Sequence, residues 1–236
     1  MNCYYEILVT LQLHEDIPVV EVQSALSELV NSSMLFNAEL KELHHRNEFK
    51  QYTFCLPYPL EPDRLYRRGR LYCFHLRTTN LKLALAFRQC LPQAKGLAKV
   101  VSVELKNYEK RLISELTTLT PVVCTVDNRC WLPENGLPLL AERLQGNALK
   151  KCKKLDLAFA MPKGEDFFFE HIQMKNHKPI KIDYKRKGTT LLGHKLHLSI
   201  KPHPWAQQLA FTVLGEGLLE KNTLGFGYCI AGSIGR

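Results

Sequence analysis

The order in which apolar periodicities change along the first half of the chain constrains the fold more than any single motif. Residues 3–13, CYYEILVTLQL, form a β-rich apolar run suited to a strand inside a sheet. After Pro18, placed where the start of a helix tolerates it, Val19, Val22, Ala25, Leu26 and Leu29 recur at helical spacing. A second helical piece runs from Leu35 to His45. Phe49 to Leu56 alternates as a strand until Pro57 and Pro59 stop it, and Arg70 to Arg77 reads as another. Leu81 to Leu91 predicts a helix closed by Pro92, and the stretches 97–106 and 111–126 are strand-like, the second broken at Pro121.

The resulting β-α-β-β-α-β order is the ferredoxin-like pattern, a four-stranded antiparallel sheet with two helices on one face. A chain of 236 residues has room for a second unit of similar size. Its second half offers a helix from Leu137 to Leu155, an ambiguous stretch at 165–176, and strands at 180–187 and 189–201 joined through Lys187-Gly188-Thr189. A helix at Pro204 to Leu214 and a last strand at Phe226 to Ile230 follow. The expectation is an α+β chain of two tandem ferredoxin-like (RRM-like) domains, residues 1–120 and 121–236.

The formal net charge is +9, and residues 148–201 carry 13 Lys/Arg against 5 Asp/Glu. A basic block of this kind is the electrostatic footprint of a polyanion, nucleic acid before membrane, because no amphipathic anchor accompanies it. A solvated lysine-rich face has the same composition. Lys185, Arg186 and Lys187 at the predicted hairpin tip are the natural phosphate contacts. Lys150, Lys151, Lys153 and Lys154 suit both phosphates and the C-terminal end of a helix dipole. The eight cysteines are scattered without a C-x-x-C pair, which reads as buried thiols in a reducing cytoplasm and gives no metal or cofactor site. The N-terminus enters a strand directly, with no signal-like segment expected.

Two stretches carry candidate chemistry. Near the end, Gly215-Glu216-Gly217 and Gly225-Phe226-Gly227 flank a polar centre with Lys221 and Asn222. Such a loop turns sharply and is approached closely, as a phosphate-holding loop is, although glycines at this spacing also close tight turns between strands. Earlier, Leu43-His44-His45-Arg46-Asn47-Glu48-Phe49-Lys50 runs from a helix end into a strand. Histidine there titrates near neutrality, and Lys50 supplies a positive charge for developing phosphate oxygens. An exposed polar turn has the same spacing.

The pattern L-H-x-x-N-x-x-K-x-[FY]-T-F over Leu43 to Phe54 resembles the active-site segment of the CRISPR-repeat endoribonucleases, the stand-alone "Cas six" members of the RAMP superfamily. Leu116 to Val123 is similar to their inter-domain strand, and the terminal glycine loop to the superfamily's glycine signature. The resemblance implies two ferredoxin-like domains and metal-independent cleavage of precursor CRISPR RNA, leaving a 2′,3′-cyclic phosphate and a 5′-hydroxyl. It implies His44 as general base or acid, Lys50 as the stabiliser of phosphorane-like charge, and Gly215, Gly217, Lys221, Asn222, Gly225 and Gly227 as holders of the RNA backbone. Repeat RNA, precursor and mature, is the implied partner, with a larger effector complex and a homodimer as further options. The alternative is a non-catalytic RNA-binding RAMP subunit of such a complex.

Two departures from the pattern stand out. Many members place a tyrosine on the first helix, whereas no tyrosine occurs from Glu6 through Gln51, leaving His45 as a substitute or as the catalyst itself. Leu219 stands where the glycine signature has a further glycine.

Overall fold

The structure is a computed structural model that describes residues 3–46, 48–155, 167–184 and 188–232. In the first half β1 (Cys3–Leu13) leads through β2 (Ile17–Pro18) into α1 (Val19–Met34) and α2 (Ala38–His45). Then come β3 (Tyr52–Phe54), β4 (Leu65–Tyr66), β5 (Leu71–Thr78), α3 (Leu81–Cys90) and β6 (Ala98–Glu109). The main strands form one sheet in the order β3-β5-β1-β6, all neighbours antiparallel, with Ile7 opposite both Leu76 and Leu105.

Alternation sets the face of this sheet. Ile7, Val9 and Leu11 are fully buried with Phe74 and Leu76, beneath Val22, Leu26, Leu29 and Val30 of α1 and Ala84 and Phe87 of α3. Each large side chain buried this way contributes about 2 kcal/mol relative to exposure. The strand expected over 49–56 is shorter, because Gln51 adopts a left-handed φ of 56° and delays pairing until Tyr52.

The second half repeats the topology. β7 (Glu115–Thr118) is followed by the short hairpin β8 (Thr125–Val126) and β9 (Arg129–Cys130), then α4 (Leu137–Lys154) and β10 (Phe169–Met174). The chain continues through β11 (Ile180–Tyr184), β12 (Thr189–Gly193), β13 (Leu196–Ile200), α5 (Pro204–Glu216) and β14 (Cys229–Gly232). The second sheet has the order β10-β13-β7-β14, the same path as the first. Leu116, Leu196, Leu198 and Ile200 face Leu140, Leu144 and Ala148 of α4 and Leu209 and Val213 of α5.

Three details differ from the sequence reading. β7 lies before residue 120 yet pairs with β13 and β14, so the break between the sheets falls between Glu109 and Glu115. The stretch expected as one strand over 189–201 is two: β12 pairs with β11 in a separate ribbon, and β13 enters the main sheet. The predicted tip of that ribbon, Lys185, Arg186 and Lys187, lies outside the described residues, as do Asn47 and the segment 156–166.

The halves are joined through α5. All of its residues except Pro204 and Gln208 are buried, because it lies between the second sheet and the open face of the first. Phe211 packs against Tyr4 at 5.5 Å between ring centroids, and a Cβ on Gly215 would come within 2.8 Å of Thr79 Cγ2 and 3.0 Å of Tyr4 Cβ. Gly215 is thus a close-packing residue of the interface. Beside it, Glu6 accepts from Arg77 Nε at 2.6 Å, and Arg77 Nη1 donates to the carbonyl of Cys229 at 2.7 Å across the interface.

Candidate functional site

The catalytic segment of the sequence reading begins in α2. Asn37 caps this helix, its side chain accepting from Leu40 N at 3.0 Å, and Glu39 complements the first-turn dipole. Leu40 alone is buried, so the helix rides on the surface and presents its last turn, His44 and His45. His44 is half-buried and His45 exposed, with their rings 5.6 Å apart, edge to face. Lys50 turns back so that its Nζ donates to the His44 carbonyl at 2.8 Å. The structure therefore sets Lys50 against the backbone of His44, while neither His44 nor His45 is among the residues that line the cleft bordered by Lys50 and Lys221.

The glycine loop is built around an internal cation. Lys151 of α4, only 2% exposed, sends its Nζ to the carbonyl of Gly217, to the carbonyl of Leu219 at 3.1 Å and to Asn222 Oδ1 at 2.8 Å. Three acceptors match the three protons of an ammonium group. Burial pushes the Lys151 pKa down, opposed by the nearby Glu216 carboxylate, and burial raises Glu216 in turn. Glu216 accepts from the Thr79 hydroxyl of the first domain.

This arrangement changes the roles expected of the loop residues. Asn222 is buried, with Oδ1 taken by Lys151 and Nδ2 donating to the carbonyls of Leu218 and Phe226, each at 3.0 Å. The N–H groups of Gly217, Leu218, Glu220 and 224–227 all donate to protein carbonyls. An anion cradle made from the whole loop is therefore not present. The glycines instead allow close approach: a Cβ on Gly217 would meet Asn222 Nδ2, one on Gly225 the Phe54 ring, and one on Gly227 the Leu218 carbonyl. All three have φ between 71° and 87°. Leu219 keeps a left-handed φ of 55° without being glycine, which costs about 1 kcal/mol and aims its carbonyl at Lys151.

The loop also clasps the first domain. Gln23 of α1 donates to the Leu224 carbonyl at 3.0 Å, and the Thr53 hydroxyl of β3 donates to the Phe226 carbonyl at 3.3 Å. Lys221, by contrast, is exposed at the crest of the loop with a φ of 59°. It borders a cleft of about 350 Å³ between the domains, with Arg46, Phe49 and Lys50 on one wall and Asn147, Lys221 and Thr223 on the other. Lys50 and Lys221 bring ammonium groups from both domains to this cleft. Its carboxylates are engaged: Glu48 pairs with Lys154 at 3.0 Å, and Glu220 accepts from the Thr125 hydroxyl at 2.7 Å.

Sequence reasoning gave no role to Phe49 or Asn147, and gave Lys151 and Lys154 a phosphate or helix-dipole role in place of the contacts they make. A signal existed for Lys151, which continues the apolar stripe Leu140, Leu144 and Ala148 of α4 and so falls on the buried face. Its expected contact with phosphate is excluded by that burial. Lys150 and Lys153 on the same helix are exposed.

Two ferredoxin-like domains of identical strand order, clasped by a glycine loop beside a cationic cleft, define a double ferredoxin-like protein. No family model and no curated protein matches the sequence. Among solved structures, the chain is similar to a CRISPR associated protein Cas6 at 17% identity and a TM-score of 0.71, covering 98% of this chain and 100% of that one. It is similar to an RAMP protein binding different RNA substrates at 15% identity and a TM-score of 0.67, over 97% and 100% of the two chains. The product of a Cas6-related gene from Pyrococcus furiosus matches at 16% identity and a TM-score of 0.65, over 100% of both. The chain has the double ferredoxin-like fold of the Cas6 and RAMP proteins over nearly its whole length.

Proposed function

We propose that this chain is a Cas6-type endoribonuclease that cleaves precursor CRISPR RNA within its repeats, in the cytoplasm and without a metal ion. The observation that carries the reading is the placement of Lys50: anchored on the His44 carbonyl, it lines the inter-domain cleft that Lys221 borders from the other side. Similar structures include Cas6 product complexes and a Cas6 substrate mimic complex, which supports RNA as the ligand.

In this reading the ribose 2′-hydroxyl at the cut attacks the adjacent phosphorus while the bond from phosphorus to the 5′-oxygen breaks. The nucleophile belongs to the substrate, so the protein supplies position, proton transfer and charge stabilisation. His44 moves the proton, either taking it from the 2′-hydroxyl or delivering one to the departing 5′-oxygen. Lys50 stabilises the charge that builds on the non-bridging oxygens, and Lys221 holds the backbone beside them. Products are a 2′,3′-cyclic phosphate and a 5′-hydroxyl.

The deciding experiment incubates the purified protein with repeat RNA from its own genome in EDTA. Cleavage that a 2′-deoxy substitution at the cut abolishes is the expected result. Activity lost in chelator and restored by a divalent ion overturns the metal-free chemistry. Tight binding of the RNA without any cleavage overturns the enzyme and leaves a non-catalytic RNA-binding RAMP subunit.

A further inference from the structure

The turn that carries Lys50 has little structure of its own. Between the end of α2 and the start of β3 its described residues belong to no helix or strand, and Gln51 leaves it in a left-handed conformation. Within its own domain Lys50 Nζ reaches the His44 carbonyl and Arg46 Nη1 lies 3.6 Å from Glu48 Oε1, and the other domain adds further ties. Lys154, in the last turn of α4, donates to the Phe49 carbonyl at 2.6 Å and to Glu48 Oε2 at 3.0 Å. The Phe49 ring lies against two ammonium groups, Lys151 at 4.9 Å and Lys154 at 6.0 Å from its centroid. Lys151 is also the ion around which the glycine loop folds.

We infer that Lys151 and Lys154 are positioning residues: through Phe49 and Glu48 they set the Lys50 turn of the first domain against the glycine loop of the second. The inference rests on the proposed RNA cleavage for its kinetic consequence, and on geometry alone for its structural one. One helix end thereby touches both walls of the cleft. The loop is fixed by the buried lysine and the turn by the half-exposed one, a side chain 35% exposed. Cleft geometry then depends on the two domains being docked. The alternative role for Lys154, a plain phosphate contact, differs in what it does to binding.

The test uses Lys154→Met, which leaves the buried lysine and the loop intact, with Lys154→Arg as the conservative control. Single-turnover cleavage of repeat RNA is expected to fall about tenfold to a hundredfold in Lys154→Met, with affinity for the uncleavable 2′-deoxy RNA within about twofold of wild type. Lys154→Arg is expected to recover most of the rate. A loss that appears equally in affinity, with a shallower salt dependence, makes Lys154 a phosphate contact and overturns the inference; so does an unchanged rate.

A second measurement needs no activity. Imidazole proton–nitrogen NMR spectra of the RNA-free protein are expected to show His44 displaced in Lys154→Met, while His197, bonded to the Thr117 hydroxyl at 2.8 Å on the second sheet, stays in place. Superposable His44 signals overturn the positioning role whether or not the wild type cuts RNA. A wild type that leaves RNA uncut, with His44 displaced in the variant, overturns the nuclease reading and keeps the positioning one.

Discussion

Lys50 Nζ donates to the carbonyl oxygen of His44 at 2.8 Å, so a lysine six residues along the chain closes the helix end that carries the histidine. A cation at this end satisfies an orphan carbonyl and complements the helix dipole. The same ammonium lines the inter-domain cleft, which fixes the histidine's helix and the charge stabiliser as one unit.

His44→Ala is accordingly expected to slow repeat cleavage by at least about a hundredfold while leaving repeat binding within about twofold. His45→Ala, at an exposed position, serves as the comparison. Single-turnover rates and filter-binding affinities separate the two. Full activity of His44→Ala together with loss in His45→Ala would transfer the proton chemistry to His45.

The interface contains a carboxylate whose titration reports on docking. Burial alone would raise the pKa of Glu6, but the His75 ring, its Nδ1 3.0 Å from Glu6 Oε1, and the charge and hydrogen bond of Arg77 outweigh it and hold the group at about 2. A folded pKa below the unfolded one means stability that is present above about pH 4.5 and is lost as pH falls towards 2, amounting to about 3 kcal/mol at neutral pH. Urea unfolding between pH 7 and pH 3 should show this decline. In Glu6→Gln the protein should be less stable at pH 7, because Arg77 stays buried without its carboxylate, and the decline should flatten. An unaltered pH dependence in that variant would show that Glu6 is not the group titrating.

Gly227 tests whether the glycines serve packing. Its φ is 71°, and an added Cβ would lie 2.0 Å from the Leu218 carbonyl oxygen and 2.8 Å from Asn222 Nδ2. Gly227→Ala is expected to cost about 3 kcal/mol or more, read as a lowered midpoint of thermal unfolding. Gly69→Ala is the control, with a similar φ of 75° but nothing within 4 Å of its Cβ position; the smaller loss there isolates the clash from backbone strain.

The fold was legible because period-2 and period-3.6 patterns alternate cleanly in the first half: Ile7, Val9 and Leu11 against Val22, Leu26 and Leu29. The second half was harder to read, since His194 and Lys195 interrupt a continuous β-rich run and divide β12 from β13. In the site, the histidine and lysine were visible as residue types at a spacing. The glycines were visible too, yet their task was not: spacing shows where a backbone turns, not whether its amides face solvent. Asn222 and Lys151 satisfy each other across 71 positions of sequence, and no local pattern records such a pair.

Lys221 carries the remaining prediction. It is the exposed cation of the loop, adjacent to Asn222, whose side chain is fully engaged inside the protein. A phosphate contact made by such a lysine adds affinity without reading sequence. Lys221→Ala should therefore weaken binding to the cognate repeat and to an unrelated RNA by similar factors, and should reduce the slope of log affinity against log salt by about 1. Asn222→Ala should behave differently: loss of its bonds to Lys151, Leu218 and Phe226 lowers the unfolding temperature with the salt slope intact. Fluorescence anisotropy titrations at several salt concentrations, run beside thermal unfolding, distinguish the two. An unchanged slope in Lys221→Ala would remove that side chain from the RNA path and leave Lys50 as the cleft's phosphate contact.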